Sequence, residues 1–117
     1  MKKLLATTAA LALSTGAALA EGEVKIGVIL GFTGPIESLP PHMGDGAELA
    51  MAEVTESGKL LDGMTVTPVR ADSTCIDAGA ASAAAERLVT AEGVKGIMGA
   101  DCSGVTGAIL SNVAVPN

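Results

Sequence analysis

The sequence has no tryptophan and no tyrosine, and Phe32 is its one aromatic residue. A nucleic-acid platform built on stacked aromatic rings is therefore excluded. It has one histidine, His42, and two cysteines, Cys75 and Cys102. A zinc site needs several such ligands at short spacing, so no metal is expected. The glycine-rich fingerprints of dinucleotide and phosphate loops are missing too. The first apolar run leads only into Gly31-Phe-Thr-Gly34-Pro35, and no cofactor is implied. Cys102 as a nucleophile would need a base, and His42, in a proline-rich loop, is the one residue that could serve. The expectation is a protein that is not an enzyme.

Positive charge is also scarce. Two of the seven basic residues, Lys2 and Lys3, stand at the very start, leaving five against thirteen acidic ones in 21–117, a net charge of −8. That balance argues against binding nucleic acid or an anionic lipid surface. Long apolar runs are confined to the first twenty residues. There a basic head, a Leu/Ala stretch over 4–13 and Ala18-Leu19-Ala20 read as a secretory signal peptide cleaved after Ala20. The stretch is too short to span a membrane. Two cysteines in an exported chain read first as one disulfide, because that compartment is oxidising.

What is present is a threefold alternation. Residues 24–31 form a near-continuous apolar run, the mark of a strand covered on both faces. The pair Pro40-Pro41 is expected to keep the following loop extended. From about Met43 the period changes: Ala47, Ala50, Met51 and Val54 share one helical face, with Gly58 as the stop. A turn around Asp62-Gly63 leads to a second strand over 64–71, whose Pro68 predicts an edge position. Asp77 is the expected N-cap of a second helix running to Glu92, with Ala81, Ala84, Ala85 and Leu88 on one face and Gly93 at its exit. A third strand over 94–98 and a third helix, N-capped by Ser103 and ending near Val113, complete the pattern. Strand–helix alternation implies right-handed crossovers and a parallel sheet. The economical order is 2-1-3, a parallel αβα sheet whose third strand reads as interior although nothing in this chain pairs its far side. The expectation is an unfinished sheet.

The stretch Gly99-Ala-Asp-Cys-Ser103, with Thr106 behind it, ends the third strand and opens the third helix. Such a junction leaves backbone N–H groups free for a ligand's negative charge. Ser103 and Thr106 either merely cap that helix or add their hydroxyls to carboxylate binding, and spacing alone does not decide.

Taken together, 24–35, Gly46-Ala-Glu-Leu-Ala50, Asp72-Ser-Thr-Cys75 and Gly99–Ser103 with Thr106 resemble the branched-chain amino-acid-binding proteins of ABC transporters, the Leu/Ile/Val-binding type. The resemblance covers essentially all of 21–117. It implies a two-lobed type I periplasmic receptor, of which 21–117 would be the N-terminal part of the first lobe. It also implies a Cys75–Cys102 disulfide, a ligand carboxylate and amino group held partly by Ser103, and side-chain contact from the first loop at Leu39, a position often aromatic in the family. The implied partners are an amino acid or amide and an inner-membrane ABC permease, in the periplasm. A sensor domain on the same fold is the alternative.

Overall fold

The computed structural model describes residues 22–60 and 63–117, so the expected signal peptide lies outside the described residues. Three strands, β1 (Glu23–Leu30), β2 (Thr65–Asp72) and β3 (Gly96–Gly99), form one parallel sheet in the order β2-β1-β3. Each strand feeds a helix: α1 (Pro40–Ser57), α2 (Ala78–Thr90) and α3 (Ser103–Ile109). The order and direction match the expectation, and so does the edge position of β2. Its Pro68 stands opposite Ile26 in the ladder, where an outer strand tolerates a residue without an N–H.

The core lies on one face of the sheet. Ile29 and Ala71 are buried there against Ala81, Ala85 and Leu88 of α2 and against Val105, Ile109 and Val113 beyond the third turn. Alanines bring α2 close enough that a Cβ at Gly27 would come within 2.8 Å of Leu88 Cδ1. The N-cap of α2 is Asp77, whose Oδ1 accepts from the Ala80 N–H at 2.9 Å. The opposite face is thinner. Val28, Leu30 and Pro40 are buried, but Ala47, Ala50, Met51 and Val54 of α1 stand over Val24, Ile26, Leu60 and Val66 with an apolar cleft of about 330 Å³ between them. Val54 is 41% exposed. The helical face was legible; its closure against the sheet was not.

Strand ends shift by a residue and α2 stops at Thr90 rather than Glu92, and four further differences from the sequence reading have a local cause. The pair Pro40-Pro41 opens α1 rather than extending the loop, because the first helical positions need no N–H donor and suit proline's fixed φ. The third strand is shorter and later than 94–98, since the Val94 N–H is taken by the Leu88 carbonyl of α2 and the paired residues run only from Gly96 to Gly99. Ser103 is not the N-cap of α3. Cys102, extended at φ −120° and ψ 125°, holds that position, and Ser103 is the first helical residue. The α-helical ladder then ends at Ile109 and widens into a π turn, Leu110–Ala114, in which Val115 N–H reaches the Leu110 carbonyl at 3.0 Å.

Candidate functional site

All three strands end at the same edge of the sheet, so their following turns converge there, as parallel α/β sheets require. The β2–α2 and β3–α3 turns are joined covalently. Cys75 and Cys102 form a disulfide with their Cα atoms 5.2 Å apart. Gly31, at the exit of β1, lies against this bridge: a Cβ there would come 3.1 Å from the Cys75 Cβ.

The β2–α2 turn is held in a costly shape. Thr74 and Cys75 both have positive φ, 57° and 70°, a region that residues with a Cβ seldom occupy. The Asp72 carboxylate supports them by accepting the Thr74 N–H at 2.8 Å, an Asx-type turn. Its other oxygen accepts the Thr33 hydroxyl at 2.5 Å, which fastens the loop after β1 to the same turn. That loop comes closer still at Gly34, where φ is 99° and any Cβ would collide with the Thr74 carbonyl oxygen. Across the site, the Asp101 carboxylate accepts the Gly31 N–H through both oxygens, at 3.1 and 3.0 Å. Arg70 completes the support. Its guanidinium lies 5.1 Å from the centre of the Phe32 ring and pairs with Glu48 and, at 2.6 Å, with Asp45 of α1. The Glu48 and Asp45 carboxylates raise its pKa further above the ordinary arginine value.

Asp72 is the site's perturbed acid. Partial burial pulls its pKa upward, but the Thr33 hydroxyl and the N–H groups of Thr74, Thr33 and Phe32 outweigh it and hold the carboxyl below the ordinary 3.8. A depressed folded-state pKa contributes stability that is present above the unfolded value and lost as pH falls through the folded one. Acid titration from pH 5 downward should therefore show a loss of stability below about pH 3.8 that Asp72→Asn does not share. Urea midpoints followed by circular dichroism measure it. Parallel acid dependence in both proteins would remove Asp72 as the cause.

The residues singled out in the sequence fall into two groups. Ser103 and Gly104 are exposed at the start of α3, and no bond to the Ser103 hydroxyl occurs among the described residues, while Val105 behind them is buried. Thr106 is placed differently. Its hydroxyl donates toward the carbonyls of Ala100, at 3.1 Å, and Cys102, at 2.9 Å, which commits its proton to the turn and leaves only lone pairs for a ligand. It also lines a groove of about 200 Å³ with Ile97, Gly99 and Ile109. Leu39 is the N-cap of α1, 59% exposed, at the far end of the loop that Asp72 and Asp101 anchor. The anchoring roles of Thr33, Asp72 and Asp101 went unread in the sequence. The Asp72-x-Thr74 pattern signals an Asx turn locally, but the partners of Asp101 and Thr33 lie 70 and 39 positions away. Among the described residues no cluster of three or more His, Cys, Asp or Glu could hold a metal ion. No described helix is long and apolar enough to cross a membrane.

An open parallel α/β sheet with three convergent turns at its carboxyl edge defines a class of small-ligand-binding folds. The family model described as periplasmic binding protein matches residues 23–116, and the chain belongs to that family. It is 35% identical over 104 residues to Leu/Ile/Val-binding protein homolog 7 of Brucella abortus (strain 2308), covering 89% of this chain and 25% of that protein. Among solved structures it is similar to the branched-chain amino acid transporter substrate-binding protein LivJ of Streptococcus pneumoniae in complex with isoleucine. That match has 27% identity and a TM-score of 0.70, over 80% of this chain and 26% of that one. A solute-binding protein of a Rhodopseudomonas palustris ABC transporter in complex with 4-hydroxybenzoate is 26% identical with a TM-score of 0.57, over 80% of this chain and 24% of that one. The chain thus spans about a quarter of the length of the relatives it matches. The parallel 2-1-3 sheet is that of the type I periplasmic binding proteins.

Proposed function

We propose that this chain is the N-terminal part of the first lobe of an ABC-transporter solute receptor. In this reading the leader over 1–20 is removed after Ala20, and the receptor works in the periplasm. It captures a branched-chain or related amino acid, or an amide, and delivers it to a permease of the inner membrane. The observation that carries the reading is the exposed start of α3, where Ser103 and Gly104 stand beside three tethered turns. A solute carboxylate fits there, since helix-start amides and a hydroxyl together favour an anion. Both ligands named with the similar structures, isoleucine and 4-hydroxybenzoate, carry a carboxylate. Thr106, with its proton engaged, offers an acceptor for the solute's ammonium group, and Leu39 approaches the side-chain end.

In a polypeptide that continues this chain to the length of its relatives, Ser103→Ala is expected to weaken binding about ten- to hundredfold, the loss of one hydrogen bond to a charged group. The 117-residue chain alone is expected to bind negligibly, because it presents one wall of a cleft that needs two. Isothermal titration of both with leucine, isoleucine, valine and short amides tests this. Submillimolar binding by the short chain, or an unaffected Ser103→Ala receptor, would place the site elsewhere.

A further inference from the structure

Three turns meet at the carboxyl edge of the sheet, and each pair of them is joined by its own tether. The loop after β1 is bound to the β2–α2 turn by Asp72 and Thr33. The β2–α2 turn is bound to the β3–α3 turn by the Cys75–Cys102 disulfide. The β3–α3 turn is bound back to the start of the first loop by Asp101 and the Gly31 N–H. The three links close a ring.

We propose that Asp101 is a positioning residue of the ligand site: its carboxylate, clasping the Gly31 N–H, closes the ring and fixes the turn that carries Ser103 against the loop that leads to Leu39. The proposal rests on the site assignment above only in naming what is positioned. The ring itself is a property of this chain. Its physical content is preorganisation. A loop already held in one geometry loses less freedom when a solute arrives, and affinity gains accordingly. Asp101 suits the task for two reasons. It stands two residues before Ser103, so a shift of its backbone moves the start of α3. It also engages a main-chain N–H one residue past β1, next to Leu30, which is paired with Asp72 in the sheet. The disulfide does not make this link redundant, because it joins the other two turns and leaves the loop after β1 held only through Asp72 and through packing.

Amide exchange in the isotope-labelled, disulfide-bonded chain tests the ring without any ligand, so a failure of amino-acid binding leaves the result interpretable. Asp101→Ala should speed exchange of the Gly31 N–H about tenfold or more, the scale of one charge-assisted hydrogen bond. The Thr106 N–H, in the turn that Asp101 fixes, should also exchange faster. The Val28 and Ile29 amides should stay within about twofold, which separates a local release from a general loss of stability. Asp101→Asn keeps an acceptor oxygen in place and should restore most of the protection at Gly31 and Thr106. In the unmodified chain, a through-hydrogen-bond coupling between the Gly31 nitrogen and the Asp101 carboxyl carbon should be detectable, and this holds even should Asp101→Ala not fold. Absence of that coupling overturns the proposal. So does unchanged exchange at Gly31 or at Thr106 in Asp101→Ala, equal acceleration of the core amides, or failure of Asp101→Asn to rescue.

Discussion

Reducing the Cys75–Cys102 bond is expected to cost about 3.5 kcal/mol of stability, the chain-entropy value for a separation of 27 residues. The bond is the one covalent link among the three turns; the Asp72–Thr33 and Asp101–Gly31 contacts are hydrogen-bonded tethers. The β2–α2 turn holds two residues at positive φ that the bond and Asp72 keep in place. A chain of this size is marginally stable, so a loss on that scale removes much of what holds it folded. With neither tryptophan nor tyrosine present, far-ultraviolet circular dichroism is the practical reporter. Urea unfolding of the oxidised chain should be compared with the reduced chain and with a Cys75→Ser/Cys102→Ser variant. Midpoints that agree to within about 1 kcal/mol after conversion would show that the bond serves something other than stability.

The second large effect is at Leu88. Its side chain is fully buried in the described core, over Gly27 of the central strand and beside Ile97, in a cluster with Ala81, Ala85, Val105 and Ile109. Leu88→Ala is expected to cost about 2–5 kcal/mol, the transfer of the lost carbons plus the cavity they leave. Where the loss falls in that range depends on how far Ile97, which meets Leu88 over Gly27, can relax into the gap. The variant should be mostly unfolded at 25 °C even with the disulfide intact. Circular dichroism at that temperature decides it. A helical signal and a urea midpoint like those of the parent would mean that Ile97 and the neighbouring helices close onto the space almost completely.

The helix faces show where local pattern sufficed. The spacing of Ala81, Ala85 and Leu88 is a helical period, and the same three residues are buried in α2. The corresponding face of α1 obeyed the same period, but its fate depended on what lies across from it. Val54 is half open, and an apolar cleft separates the helix from β1 and β2. Periodicity states which residues share a face; it does not state how much apolar surface exists to cover them. The N-cap of α3 marks the same boundary in miniature. Ser103 has the chemistry of a cap, yet the chain turns helical one residue earlier than a serine cap allows, at a cysteine held extended and bonded to a residue 27 positions away.

By itself the sequence determined the alternation of three strands and three helices, the parallel 2-1-3 order and the edge position of the strand with Pro68. These follow from period, from the hand of crossovers and from a missing N–H, all of which act locally or through chirality. Only the tertiary structure decided how the three turns are fastened to one another. The Asp101–Gly31 and Asp72–Thr33 contacts, and the commitment of the Thr106 hydroxyl to Ala100 and Cys102, depend on atoms brought together by the sheet's register. A carboxylate can accept from any donor within reach, so its residue type carries no record of its partner; the fold selects the partner by placing one N–H where the oxygen ends.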